Sequence, residues 1–135
     1  MLNDYQQYAS FVCSLPERFP SIVNTSLTCY KTAVNTGIVR GILYFSQDIR
    51  LYFFQRINFD TGRIISYGYE VRQRDALLYY YDSQPHPDDP TLTSTHPHHK
   101  HIPPDIKHHR IPASELRFDR PNLEFLIREI ETNQL

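Results

Sequence analysis

A chain of 135 residues and 16.0 kDa has the length of one compact unit. With 40% hydrophobic and 21% charged residues it can bury a core, which excludes compositional disorder. Fourteen basic against 15 acidic residues leave a formal net charge of −1, so no overall electrostatic drive toward nucleic acid exists and only a local patch can supply one.

Residues 4–14 read as a short helix, with Tyr5, Tyr8, Ala9 and Val12 at helical spacing, Asn3 or Asp4 as the cap and Pro16 as the stop. This N-terminus lacks the basic and apolar regions of a signal peptide, and no apolar run approaches the ~18 residues of a membrane span. Cys13 and Cys29 sit in apolar segments without paired spacing and are expected as unpaired thiols, in keeping with a cytoplasmic protein. From residue 22 the period drops toward two. Residues 22–34 give one or two strands, Gly37 marks a turn, and 38–45 follows as a strand. Residues 50–59 and 63–72 flank Asp60-Thr61-Gly62, a tight hairpin connection. Residues 76–82 supply one more strand. Ten Tyr and eight Phe, side chains suited to a pleated surface, agree with a sheet.

Residues 83–114 break the periodicity and hold seven of the ten Pro and all seven His. A long His/Pro-rich loop of this kind is either functional or disordered, but residues 121–131 beyond it form an amphipathic helix with Leu123, Leu126, Ile127 and Ile130 on one stripe and Pro121 at its first position. The loop is thus expected to be tethered at both ends. The fold class is α+β: a single domain with a four- to five-stranded antiparallel meander over residues 22–82 between an N-terminal and a C-terminal helix.

The densest chemical constellation is His96-Pro97-His98-His99-Lys100-His101, preceded by Asp82 and His86. In an extended segment, alternation puts His99 and His101 on one face and His98 with Lys100 on the other. Two imidazoles facing one way suit general acid–base cleavage of an RNA phosphodiester, with Lys100 or Arg110 as the cation for the charged phosphorane. The same residue types suit a divalent metal such as Zn or Ni, through His96, His98, His99 and His101 with a carboxylate such as Asp82. A solvated His cluster, or a pH-sensitive lid on a protein-interaction module, is the non-catalytic alternative. Asp82 follows Tyr79-Tyr80-Tyr81 at a strand end, where it either orients a histidine or starts a turn. Gln55 falls on the otherwise apolar face of residues 51–59, so it either satisfies neighbouring backbone or lines a polar cleft. Arg56, Arg63 and Arg72, interleaved with Tyr52, Tyr67 and Tyr69, form a candidate single-stranded RNA surface in which arginines hold phosphates and rings stack on bases.

Leu51-Tyr52-Phe53, Tyr67-Gly68-Tyr69, Tyr81-Asp82, His86 and above all Pro97-His98-His99-Lys100-His101 followed by a short helix resemble the TumE-type toxins of type II toxin–antitoxin systems, from about residue 41 to residue 130. The resemblance implies a toxin that acts on RNA and is neutralised by a helix-turn-helix antitoxin; the sequence has no phosphate-loop or dinucleotide motif, so no nucleotide cofactor is expected, and a homo-oligomer or a toxin–antitoxin complex is. With the alternation described above, His99 and His101 are the expected acid–base pair and Lys100 the phosphate cation. Asp82 is expected to orient and Tyr81 to assist, with His98 and His86 in reserve. Three positions depart from the family pattern: Gln55 stands for a Glu, Tyr80 for an Arg, and Pro87 for a second His.

Overall fold

The computed structural model describes residues 1–83 and 98–135 of the chain. Helix α1 (Tyr5–Cys13) begins where the Asp4 carboxylate accepts a hydrogen bond from the Gln7 backbone N–H at 3.0 Å. Its buried stripe is Tyr8 and Val12. Pro16 does not simply stop the chain: it lies in the first turn of a second short helix, α2 (Leu15–Arg18), where a proline leaves no helical hydrogen bond unmade.

Strands β1 (Asn24–Lys31), β2 (Thr36–Tyr44), β3 (Ile49–Asn58), β4 (Arg63–Gln73) and β5 (Ala76–Asp82) run as the expected antiparallel meander. The β3–β4 connection forms as read, with Asn58 Oδ1 accepting from the backbone N–H groups of Asp60 at 2.9 Å and Thr61 at 3.2 Å, and Gly62 at φ 69°. Gly37 is not in the β1–β2 turn, which spans residues 32–35. It lies inside β2, where an added Cβ would stand 2.9 Å from the Tyr30 carbonyl oxygen and 3.1 Å from the Phe59 ring, so close backbone approach explains it.

The segment expected as a loop adds two further strands, β6 (His99–His101) and β7 (Arg110–Pro112). Among the described residues the sheet therefore has seven antiparallel strands in sequence order instead of four or five. Helix α3 (Leu123–Asn133) closes the chain. Pro121 precedes its cap residue Asn122 and is not the first helical residue.

One sheet face is covered. Val39, Leu43, Leu51, Phe53, Ile57, Tyr69, Val71, Tyr79 and Tyr81 meet Tyr8, Val12 and Leu15 of the N-terminal helices and Leu123, Leu126, Ile127 and Ile130 of α3 in one buried core. Gln55 satisfies neither of its expected roles. Fully buried on the covered face, it accepts from the Tyr8 hydroxyl at 2.6 Å and donates to the Tyr69 hydroxyl at 2.7 Å, and Asn122 Nδ2 donates to the same Tyr69 oxygen at 3.2 Å. These bonds tie α1, β3, β4 and the start of α3 together. No described helix is long and apolar enough to cross a membrane.

Candidate active site on the open sheet face

The pairing of β5 with β6 sets the site. Asp82 lies opposite His99, Tyr81 opposite Lys100 and Tyr80 opposite His101. Residues paired across antiparallel strands share a face, so Tyr80, Asp82, His99 and His101 lie together on the face the helices leave open, while Tyr81 and Lys100 point to the covered one.

His99 Nε2 lies 2.5 Å from Asp82 Oδ1 and His101 Nε2 lies 3.6 Å from Asp82 Oδ2, with the two imidazole centroids 4.9 Å apart. Both rings are buried, whereas the Asp82 side chain is 27% exposed. The His101 ring stacks on Tyr80 at 4.0 Å, within 8° of parallel. Its Nδ1 stands 3.0 Å from the Ile106 carbonyl oxygen. A carbonyl can only accept, so the proton resides on Nδ1, and in the neutral ring Nε2 keeps its lone pair toward Asp82. Among the described residues that Nε2 has no hydrogen-bond partner. Burial holds the His101 imidazole below its ordinary value; Asp82 and the Ile106 carbonyl oppose that shift, and His99 and Arg110 reinforce it. Arg110 is the β7 register partner of His101 and so lies on the same face.

The ligating atoms of Asp82, His99 and His101 all lie within 4.8 Å of one another, a donor set of a carboxylate and two imidazoles that suits a divalent transition metal. The Ile106 carbonyl on His101 Nδ1 is the outer partner that commonly orients a ligating histidine.

Several expected members are elsewhere. Lys100 does not reach the cluster: its ammonium donates to Glu129 Oε2 of α3 at 3.1 Å and sits 4.3 Å over the Tyr79 ring. Tyr81 likewise donates a hydrogen bond from its hydroxyl to Glu129 Oε2 at 2.7 Å, and burial first, then Glu129, pushes its pKa far up. His98 is held on the covered side, with Nδ1 at 2.6 Å from the Tyr67 hydroxyl and its ring 4.5 Å from Phe118, so it belongs to no common metal set with His99 and His101. His86 and His96 lie outside the described residues.

The expected RNA surface is also redrawn. Tyr67 and Tyr69 stack on each other at 4.9 Å inside the core and are closed to a base. Arg72 is paired with Glu70 at 3.1 Å, and Arg63 is exposed at the tip of the β3–β4 hairpin. Arg56 is exposed on the open face. On that face Tyr52, Phe54 and Tyr80, with Arg40, Glu70 and Asp82, line a depression of about 560 Å³. Phe54 and Arg40 escaped the sequence reading, and Tyr80 entered it only as a departure from the family pattern, although strict alternation along residues 49–58 sets Tyr52, Phe54 and Arg56 on the face opposite Leu51, Phe53 and Gln55.

Fold and site together define a small α+β protein with an acid–imidazole cluster at the end of an open, arginine-bearing sheet. A family model described as Toxin TumE matches residues 14–134, and the chain belongs to that family. It is accordingly a toxin of a toxin–antitoxin system, with an antitoxin as partner. No curated protein and no solved structure matches it.

Proposed function

We propose that this toxin cleaves RNA by general acid–base chemistry centred on Asp82, His99 and His101. The observation that carries the reading is the convergence of two buried imidazoles on one carboxylate, which itself opens onto an arginine-bearing groove. His101 suits the base, because its lowered pKa keeps it neutral at neutral pH and Ile106 holds its proton on Nδ1. Its Nε2 takes the proton of a ribose 2′-hydroxyl. The 2′-oxygen then forms a bond to phosphorus as the bond from phosphorus to the 5′-oxygen breaks, and His99, oriented by Asp82, gives its proton to that leaving oxygen. The products are a 2′,3′-cyclic phosphate and a 5′-hydroxyl. Arg110 takes the role of the phosphorane cation in place of Lys100, since only the former shares a face with the histidines. The antitoxin is proposed to be a helix-turn-helix protein.

The 4.8 Å convergence of the three donors favours a second reading, in which Zn or Ni is held by Asp82, His99 and His101 and supplies Lewis-acid chemistry at the phosphate. Incubation of the purified toxin with a mixed RNA, with and without EDTA, separates the two. Acid–base cleavage persists under chelation, and His99→Ala and His101→Ala each slow it by ~10² or more. Cleavage lost only with EDTA moves the assignment to the metal. Cleavage absent, or equal in wild type and both variants, removes both.

A further inference from the structure

Gly68 lies in the middle of β4, opposite Phe54 on β3 and Asp82 on β5. A glycine inside a strand weakens it, and is ordinarily explained by a bulge, a positive φ or a close neighbour. None applies here: the register is regular at this residue, its φ is not in the left-handed region, and an added Cβ would meet no heavy atom within 4 Å. The fold itself gains nothing from the missing side chain. What the missing side chain leaves is the floor of the open-face depression, with Tyr52, Phe54 and Tyr80 around it and Arg40 at its rim.

We infer that Gly68 is the floor of a nucleobase-binding subsite, and that a base seated over it presents its ribose to the Asp82 cluster; the inference rests on the RNA-cleaving reading and names where the substrate sits. Three half-buried rings around a flat opening suit a planar aromatic ring, which every base offers. Both acids that line the depression are engaged, Asp82 by His99 and His101 and Glu70 by Arg72, which leaves Arg40 in the lining for a phosphate. Arg40 and Arg56 make no ion pair among the described residues. Neighbouring strands are about 4.8 Å apart, so a base over Gly68 sits one strand spacing from Asp82, near enough for its ribose to reach the carboxylate.

The decisive variant is Gly68→Val, which fills the floor with a strand-favouring side chain that has room to stand. Binding of the four nucleoside 5′-monophosphates, with ribose 5-phosphate as the base-free control, is followed by NMR titration of wild type and variant, alongside RNA cleavage and urea unfolding. Wild type is expected to bind the nucleotides about tenfold or more tightly than ribose 5-phosphate, the worth of one base–aromatic stack. Gly68→Val should unfold at the same or higher urea while losing about tenfold or more in nucleotide affinity and in kcat/KM for RNA. If Val perturbs folding, Tyr52→Leu, which removes a ring and keeps the strand, should give the same loss. Equal nucleotide affinity in wild type and variants, no nucleotide binding by wild type, or equal affinity for ribose 5-phosphate overturns the subsite. So does a Gly68→Val protein that binds nucleotides normally and fails to bind the antitoxin, which would assign the depression to that partner. Gly68-dependent nucleotide binding without any RNA cleavage would instead leave the subsite standing and remove the cleavage reading.

Discussion

Lys100 is flanked in sequence by two histidines and faces away from both. Alternation along β6 carries its side chain to the covered side, where Glu129 holds the ammonium and Tyr79 and Tyr81 lie beneath it. Its work is therefore to join β6 to α3. Lys100→Met keeps the stem and removes the charge, leaving Glu129 with the Tyr81 hydroxyl as its donor among the described residues. Since the pair is only partly buried, the expected cost is about 1–2 kcal/mol, read as a lower urea midpoint, with cleavage per folded molecule unchanged. Cleavage reduced as far as in His101→Ala, at an unchanged midpoint, would return Lys100 to the chemistry. His99 and His101 were legible as a pair sharing a face, because period two is independent of what the strand pairs with. Asp82 was legible as a candidate carboxylate for them, but its place opposite His99 was not, since that depends on which residue of β5 the short strand meets.

Strands β6 and β7 have three residues each, too few for alternation to stand out among prolines and histidines. They form because β5 offers an edge and because the residues between them fold back, with Ile102 N–H donating to the His109 carbonyl at 2.9 Å. Helix α3 was legible for the opposite reason. Its stripe of Leu123, Leu126, Ile127 and Ile130 repeats at helical spacing over two turns, and all four side chains are fully buried. Each contributes about 1.5–3 kcal/mol of burial, so together they rival the ~5–15 kcal/mol that holds a domain folded. A chain ending at residue 120 is expected to show no cooperative thermal transition and to bind a hydrophobic dye. Cooperative unfolding at the full-length midpoint would show that α3 is dispensable.

At the scale of the molecule, the sheet separates support from chemistry. Helices close one face with a tyrosine–glutamine network and an aliphatic core, and the other face keeps its rings, arginines and acid–imidazole cluster. Burying a titratable group in that cluster links it to global stability. His101 is held below the 6.5 of a free imidazole by burial, with Asp82, His99 and Arg110 as its charged neighbours. The unfolded chain therefore takes up this proton at higher pH than the folded one. The stabilisation is complete above the unfolded value and is lost as pH falls through the folded one, with a slope of at most ~1.4 kcal/mol per pH unit. Urea midpoints measured from pH ~7.5 down to ~5 should fall more steeply for wild type than for His101→Gln; parallel curves would mean that this imidazole does not titrate with folding.

Local pattern was enough to settle the two terminal helices, the β3–β4 hairpin and the α+β class, because each rests on a periodicity or turn chemistry contained within a few adjacent residues. The same pattern placed His99 and His101 on one side and Lys100 on the other. Which side holds the chemistry was decided only when β6 added to β5 in the register that sets His99 against Asp82, and when α1 and α3 chose the face with Gln55 and Tyr69 to cover. A strand's alternation says which residues go together; only packing against other elements says which of its two faces is left for a ligand.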